Sequence, residues 1–379
     1  MYEFIHRVCL AVMVPELTHD LALNPAQFGW LSAAYFYAYA LMQIPVGFLL
    51  DRYSVKYILF WASILIAASS ITFAHTSSAF VALFCRALIG LGSAFSFVGC
   101  MKVGASLFSS RKFALIVGLS NLLGAIGGIL GGKPLAIGVA LFGWRLIILA
   151  LGVAGIIISL AIVLGVNHVN PKTTNKIAKF KPKNLTASLL NPKLLLISTV
   201  AGLIVAPIAS YVELWGPTFL HLKYGLLREH AALISTITFL GIAAGGPLVG
   251  WLSYYVQNIF NLLLIGIIGA FLSLAAIIFQ IPQTSGMLVF LHLLFGFCSS
   301  FMLLCFSINN QYANPNNQAL VVAITNTFIM LIGASTQVIS SKILKSTTAY
   351  DVIYALVPLL LCQVLAIILL IKVCISKKA

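Results

Sequence analysis

Apolar residues run along this chain in blocks long enough to cross a bilayer, which takes about 20 helical residues, and short polar clusters separate them. The blocks predict about twelve helices: Met1 to Leu17, Gln27 to Leu50, Tyr57 to Phe73, Phe80 to Phe108, Phe113 to Ala136, one opening at Gly143-Trp144-Arg145, then Leu194 to Phe219, Ala231 to Val256, Asn261 to Ile281, Gly286 to Ile308, Ala319 to Leu344 and Tyr350 to Ile375. The first is short for a span. A single polar, lysine-rich stretch from Asn167 to Lys193 divides the blocks six and six. The expected organisation is a six-helix bundle over 1–166, a linker over 167–193 and a second six-helix bundle over 194–379.

The two groups of six repeat one another at an offset of about 200 residues. Gly47-Phe-Leu-Leu matches Gly250-Trp-Leu-Ser, Arg86 with Gly90 matches His292 with Gly296, and Ala114-Leu115 with Asn121 matches Ala319-Leu320 with Asn326. In the second copy Tyr254 and Tyr255 stand where the first has Asp51 and Arg52.

Composition turns the pattern into a class. Of 379 residues 61% are hydrophobic and 8% charged, against about 25% charged in a soluble domain, and mean hydropathy is +1.09. The chain is an integral membrane protein. Its net charge of +15 follows topology and does not point to nucleic acid. With the Asp51 loop taken as cytoplasmic, that side collects Arg52, Lys56, Arg111, Lys112, the lysines from Lys172 to Lys193, and Lys372, Lys377 and Lys378, the larger share of the 22 lysines and arginines. The excess predicts cytoplasmic termini. The seven cysteines fall within predicted spans without metal-ligand spacing and read as packing residues.

The most informative motif is GFLLDRYSVK, Gly47 to Lys56. Asp51, Arg52 and Lys56 are too costly for hydrocarbon, so they mark a tight surface turn, and Gly47 is expected to let two helices approach closely as they enter it. This spacing resembles the loop signature of the major facilitator superfamily, with Val55 where the family often has a second basic residue. Arg86-Ala-Leu-Ile-Gly90-Leu-Gly92 is similar to the superfamily's motif on its fourth helix. The resemblance covers essentially the whole chain except the start of helix 1, which looks clipped. It implies an all-α membrane protein of twelve transmembrane helices in two pseudo-symmetric six-helix bundles, working by alternating access about a midplane site. It also implies that Gly47, Asp51, Arg52 and Lys56 form a conformational latch and that Arg86 takes part in proton coupling.

Ionisable groups inside a membrane are functional candidates by default. Glu3 and Arg7 lie one helical turn apart: Arg7 is read as binding an anionic group with Glu3 as gate or proton carrier, against the alternative that both lie near the headgroups. Arg86 either clamps a carboxylate or packs between helices, and Lys102 either meets substrate at the inner end of a cavity or reaches cytoplasmic headgroups. Glu213, set between Tyr211 and Trp215, is the foremost candidate for proton coupling, with exposure to outer water as the alternative. Tyr35 and Tyr39, which share a helix face at i, i+4, are candidate substrate contacts, as are Tyr211 and Trp215 at the same spacing, with aromatic packing against lipid as the alternative for the latter two. Asn121 and Asn326 stand at equivalent places in the two halves, and His292 lies opposite Arg86 in the repeat; all three are candidate substrate contacts or interhelical glue. The glycines of helix 5, Gly118 to Gly132, are expected to pack neighbouring backbones tightly, and Trp144-Arg145 to sit at the interface with the arginine among headgroups.

These features together predict a secondary active transporter, monomeric, in a bacterial inner membrane. The expected activity is proton-coupled uptake of a small anionic or zwitterionic metabolite such as an amino acid, peptide or carboxylate. Proton-coupled efflux of drugs or siderophores is the alternative within the class, and a non-transporting receptor or scaffold the alternative outside it. Enzyme motifs are missing: there is no HExxH, nucleophile elbow or P-loop. Neither a cofactor nor a metal is expected.

Overall fold

The computed structural model describes residues 1–107, 110–165, 191–256, 258–281, 284–312, 318–344 and 349–378, with side chains described throughout these except at 51, 105–107, 110–118, 319, 349–350 and 375–378. Most of the expected linker therefore lies outside the described residues.

Among the described residues the elements are helical, α1 to α16. The chain opens with α1 (Tyr2–Val8), a 3-10 turn (Cys9–Val12) and α2 (Val14–Asp20), followed by α3 (Pro25–Arg52), α4 (Val55–His75), α5 (Ala79–Leu107), α6 (Ser110–Leu130) and α7 (Lys133–Gly165). After the linker come α8 (Pro192–Pro207), a π-helical stretch (Ile208–Trp215), α9 (Gly216–Tyr224), α10 (Arg228–Thr236), α11 (Thr238–Tyr255) and α12 (Ile259–Ile278). The last are α13 (Ser285–Ser299), α14 (Leu303–Asn310), α15 (Gln318–Ile343) and α16 (Ala349–Lys378).

Among the described residues, ten helical segments are long and apolar enough to cross a membrane. One of them, Leu119–Gly165, has 47 residues, more than twice the length of about 20 that a crossing needs. It bends at Gly143, whose φ of 77° and ψ of 155° are non-helical and belong to the region glycine enters without steric cost. Two crossings meet there, as the sequence predicts. The remaining crossing is Tyr2–Asp20, broken into three pieces instead of the continuous helix expected to Leu17. Pro15, in the first turn of α2, lacks the N–H that a helix running through would use. Counted this way, the described residues are consistent with the twelve expected crossings.

Break points elsewhere follow proline too. Pro207 and Pro217 flank the π-helical stretch 208–215, and each removes a donor from the regular ladder, so the chain closes wider turns between them. Within the first half, α4 packs on α7 and α5 on both α3 and α4; within the second, α8 packs on α15 and α16, and α13 on α11 and α12. Across the halves α3 runs against α15 and α6 against α11. These two seams frame the centre.

Two expectations about the helix ends need correction. At Gly47 an added Cβ would meet nothing within 4 Å, so this glycine makes no close approach. A tight crossing in this bundle lies elsewhere, at Gly90, where a Cβ would land on the backbone carbonyl of Tyr35. Arg145 does not reach outward to headgroups. Its guanidinium donates to the Ala74 and Thr76 carbonyls at 3.1 and 2.8 Å, ending α4, and lies 4.4 Å from the Trp144 ring. Trp144 is itself buried and donates its indole N–H to Asp20 at 2.9 Å, tying three helix ends together on the face opposite the linker, here called the far face.

Candidate functional site

The centre is built where the first crossing meets the π-helical stretch of the seventh. Arg7 Nε stands 2.9 Å from Glu213 Oε1, with side chains 10% and 1% exposed. Nε and Oε1 are at hydrogen-bonding distance but poorly aligned, so charge supplies most of the attraction. The guanidinium also lies 5.5 Å from the Phe4 ring and 5.1 Å from the Phe36 ring, which stabilise a cation electrostatically and shield it from water. A buried ion pair of this kind is costly to break from one side and leaves its partner uncompensated. It joins the two halves at the middle of the molecule.

Around it the first half supplies most of the expected site. Glu3, one turn before Arg7, lies beside Tyr35 and Tyr39, whose rings stack at 6.1 Å. Arg86 is fully buried; its Nη1 donates to the His6 carbonyl at 2.8 Å and its guanidinium lies 5.1 Å from the Tyr35 ring. The Nε and Nη2 of Arg86 and the Nε2 of His6 have no hydrogen-bond partner among the described residues. This row of buried, unsatisfied groups behind Arg7 suits a region that changes partners when the halves move.

Glu213, Tyr211 and Trp215 address three different neighbours. Glu213 faces the first crossing through Arg7. Tyr211 donates its hydroxyl to His292 Nε2 at 2.9 Å, while His292 Nδ1 donates to the Leu288 carbonyl at 2.7 Å. A carbonyl only accepts, so Nδ1 carries the proton and Nε2 is the acceptor. Trp215 donates its indole N–H to the Ser341 hydroxyl at 3.1 Å and packs 5.7 Å from the Phe28 ring of the other half. Tyr211 and His292 thus form a bond inside the second half, and nothing brings them to Glu213. Changing Tyr211 to Phe strands a fully buried imidazole nitrogen and is expected to lower stability by about 1–3 kcal/mol. Thermal unfolding of the purified variant checks this, with a smaller loss expected when His292 is also changed to Leu.

The other candidates have separate partners, except that Asn326 reaches Gln43, which lies beside Tyr39 and so connects to Glu3. Lys102 donates to the Leu50 carbonyl at the C-terminal end of α3, so it belongs with the Asp51 loop. Arg52 lies 6.0 Å from the Tyr53 ring, Lys56 is buried, and the side chain of Asp51 is outside the described residues. Asn121 is exposed on α6. Asn326 donates to Gln43 Oε1 at 2.6 Å, a bond across the α3–α15 seam, so the two asparagines do not face one another from opposite walls. The glycines of the fifth crossing do pack closely: a Cβ at Gly128 would meet the Phe239 ring at 2.6 Å, against α11.

Several contacts between the halves have no sequence signal of their own. Tyr37 and Ser335 hydroxyls meet at 3.2 Å across α3 and α15. On the far face Arg228 Nη1 lies 3.1 Å from Glu16 Oε1, with side chains 58% and 30% exposed. Glu16 and Arg228 are over 200 positions apart, and residues this distant pair only through the packing of the halves.

Comparison with known proteins places this geometry. The family model described as Major Facilitator Superfamily matches residues 3–370. The probable galactarate/D-glucarate transporter GudP of Bacillus subtilis is 24% identical over 396 residues, covering 92% of this chain and 84% of that protein. The hexuronate transporter of Bacillus subtilis is 23% identical over 254 residues, with 64% of this chain and 60% of that one covered. Among solved structures, a bacterial homolog of the human lysosomal transporter Spinster superposes with a TM-score of 0.78 at 17% identity, covering 98% and 94% of the two chains.

Proposed function

From the premise that the chain belongs to the Major Facilitator Superfamily and has transporters as relatives, we propose that it takes up a small organic carboxylate together with a proton. The observation that carries this reading is the Arg7–Glu213 contact at 2.9 Å between the halves. A carboxylate already meets the guanidinium, through one poorly aligned contact. A substrate carboxylate that presents two oxygens to Arg7 makes the stronger, bidentate arrangement.

The coupling follows from charge. With Glu213 ionised the pair is neutral and the halves are held together at the centre. Protonation of Glu213 removes its charge and leaves Arg7 to be neutralised by the substrate, so Arg7 keeps a counter-charge throughout. One proton enters with one carboxylate. Glu3 and Arg86 lie immediately around Arg7 and set the field in which this exchange occurs, with Tyr35 and Tyr39 as hydroxyl-bearing walls. Both chain termini face the cytoplasm, on the side where the lysines and arginines concentrate.

The relatives' names supply a panel. Reconstituted protein in liposomes is expected to accumulate one of D-glucarate, galactarate or a hexuronate when the external pH is lowered. It should ignore organic cations of similar size. Accumulation of hydrophobic cations with no response to any organic anion overturns the reading and points to efflux.

A further inference from the structure

A second place on the molecule has the means to hold a carboxylate. On the far face a cavity of about 330 Å³ lies between the halves, lined from the first crossing by Val12, from the fifth by Ala136, from the seventh by Thr218, His221 and Leu222, and from the eighth by Arg228. Pockets that hold small ligands run from about 300 to 1,000 Å³ and combine apolar walls with a few polar groups. This one fits the lower end of that range.

The chemistry of its ligand is displayed by the protein itself. Arg228 is occupied by Glu16, a carboxylate, through a single contact of 3.1 Å. Glu16 Oε2 is buried and has no hydrogen-bond partner, so the internal carboxylate uses one oxygen and strands the other. A guanidinium offers two parallel N–H groups to a carboxylate that presents both oxygens. Glu16 is therefore an inferior occupant of Arg228, and a free carboxylate that seats both oxygens displaces it. Val12, Ala136 and Leu222 supply apolar wall in the same cavity, which selects a ligand with an apolar body.

We infer that this far-face cavity is a binding site for a small monocarboxylate with an apolar body, held by Arg228 in exchange for Glu16. The site is separate from Arg7–Glu213 and does not depend on what the centre carries. Because its walls come from both halves, an occupant bridges them on this face.

The test uses benzoate as the probe and benzamide as its uncharged counterpart, with calorimetric titration of the purified full chain in detergent. Benzoate is expected to bind at least tenfold more tightly than benzamide, and Arg228→Gln to weaken benzoate at least tenfold. Glu16→Gln removes the internal competitor and is expected to tighten benzoate threefold or more, a change of sign that a structural role for Glu16 does not produce. Should Arg228→Gln fail to fold, the Glu16→Gln result decides alone. The Arg7→Gln/Glu213→Gln double variant is expected to bind benzoate within twofold of wild type. Equal binding of benzoate and benzamide, weaker binding in Glu16→Gln, or loss of binding in the central double variant overturns the proposal; the last outcome assigns the ligand to the centre instead.

Discussion

Replacing Arg7 by Gln is expected to lower carboxylate uptake by about 100-fold and to destabilise the protein by about 3 kcal/mol. The first figure follows from losing charge-assisted hydrogen bonds to the substrate, worth about 1.5–3 kcal/mol at 1.4 kcal/mol per tenfold. The second follows from stranding Glu213, 1% exposed, without its partner, since breaking a buried pair from one side costs about 3–5 kcal/mol. The two effects separate in the double variant. Arg7→Gln/Glu213→Gln leaves two neutral amides facing each other, and is expected to regain most of the lost stability while remaining inactive. Thermal unfolding alongside uptake makes the distinction. An Arg7→Gln variant that is stable and active, or a double variant less stable than either single one, contradicts the pair's place at the centre.

The second large effect is expected at Gly90. A Cβ there lands on the carbonyl of Tyr35, and backbone cannot turn aside as a flexible side chain does. The fourth and second crossings must separate, carrying Tyr35 away from Arg86, whose guanidinium lies 5.1 Å from its ring. Overpacking of a close contact costs about 1–3 kcal/mol and more when backbone must move. Gly90→Val is expected to abolish recovery of monodisperse protein, and Gly90→Ala to lower its melting temperature by several degrees. Gly47→Ala provides the contrast: with nothing within 4 Å of the added methyl, it is expected to be neutral or to stabilise by up to about 1 kcal/mol.

Gly47 and Gly90 also show what the chain makes legible and what it does not. Both sit in recognisable motifs. Hydrophobic periodicity locates the helices on which they lie, but the point where two helices cross depends on rotation about each helix axis. A block of uniformly apolar residues does not encode that rotation. The same reason explains Tyr211 and Trp215. Their spacing places them on one helix beside Glu213, yet the π-helical turns between Pro207 and Pro217 send the three side chains to different neighbours. Arg7 and Glu213 were each legible as costly charges in hydrocarbon, while their meeting was not, since it requires the two halves to be assembled. The Glu16–Arg228 contact was hidden more fully. Each residue is an unremarked polar group at a helix end, and only the packing of the halves brings them within 3.1 Å.

Lys102 illustrates the opposite case, a charge whose cost is met locally. Its ammonium reaches the Leu50 carbonyl, at a helix C-terminus where unsatisfied carbonyls and the negative end of the helix dipole favour a cation. Its place beside the Asp51 loop assigns it to holding that loop and the second crossing together. Intramembrane position alone does not separate this role from substrate binding; the partner does.

The central claim is that Arg7 binds the carboxylate and Glu213 carries the proton. The most direct measurement compares Glu213→Gln with wild type in liposomes, using whichever carboxylate the panel selects, in two modes: exchange between equal pools of substrate, and concentrative uptake driven by a pH gradient. Glutamine keeps the size of the side chain and mimics the protonated acid, so the predicted result is exchange at a rate near wild type with concentrative uptake lost. Concentrative uptake that survives in Glu213→Gln and still follows the pH gradient would contradict the account.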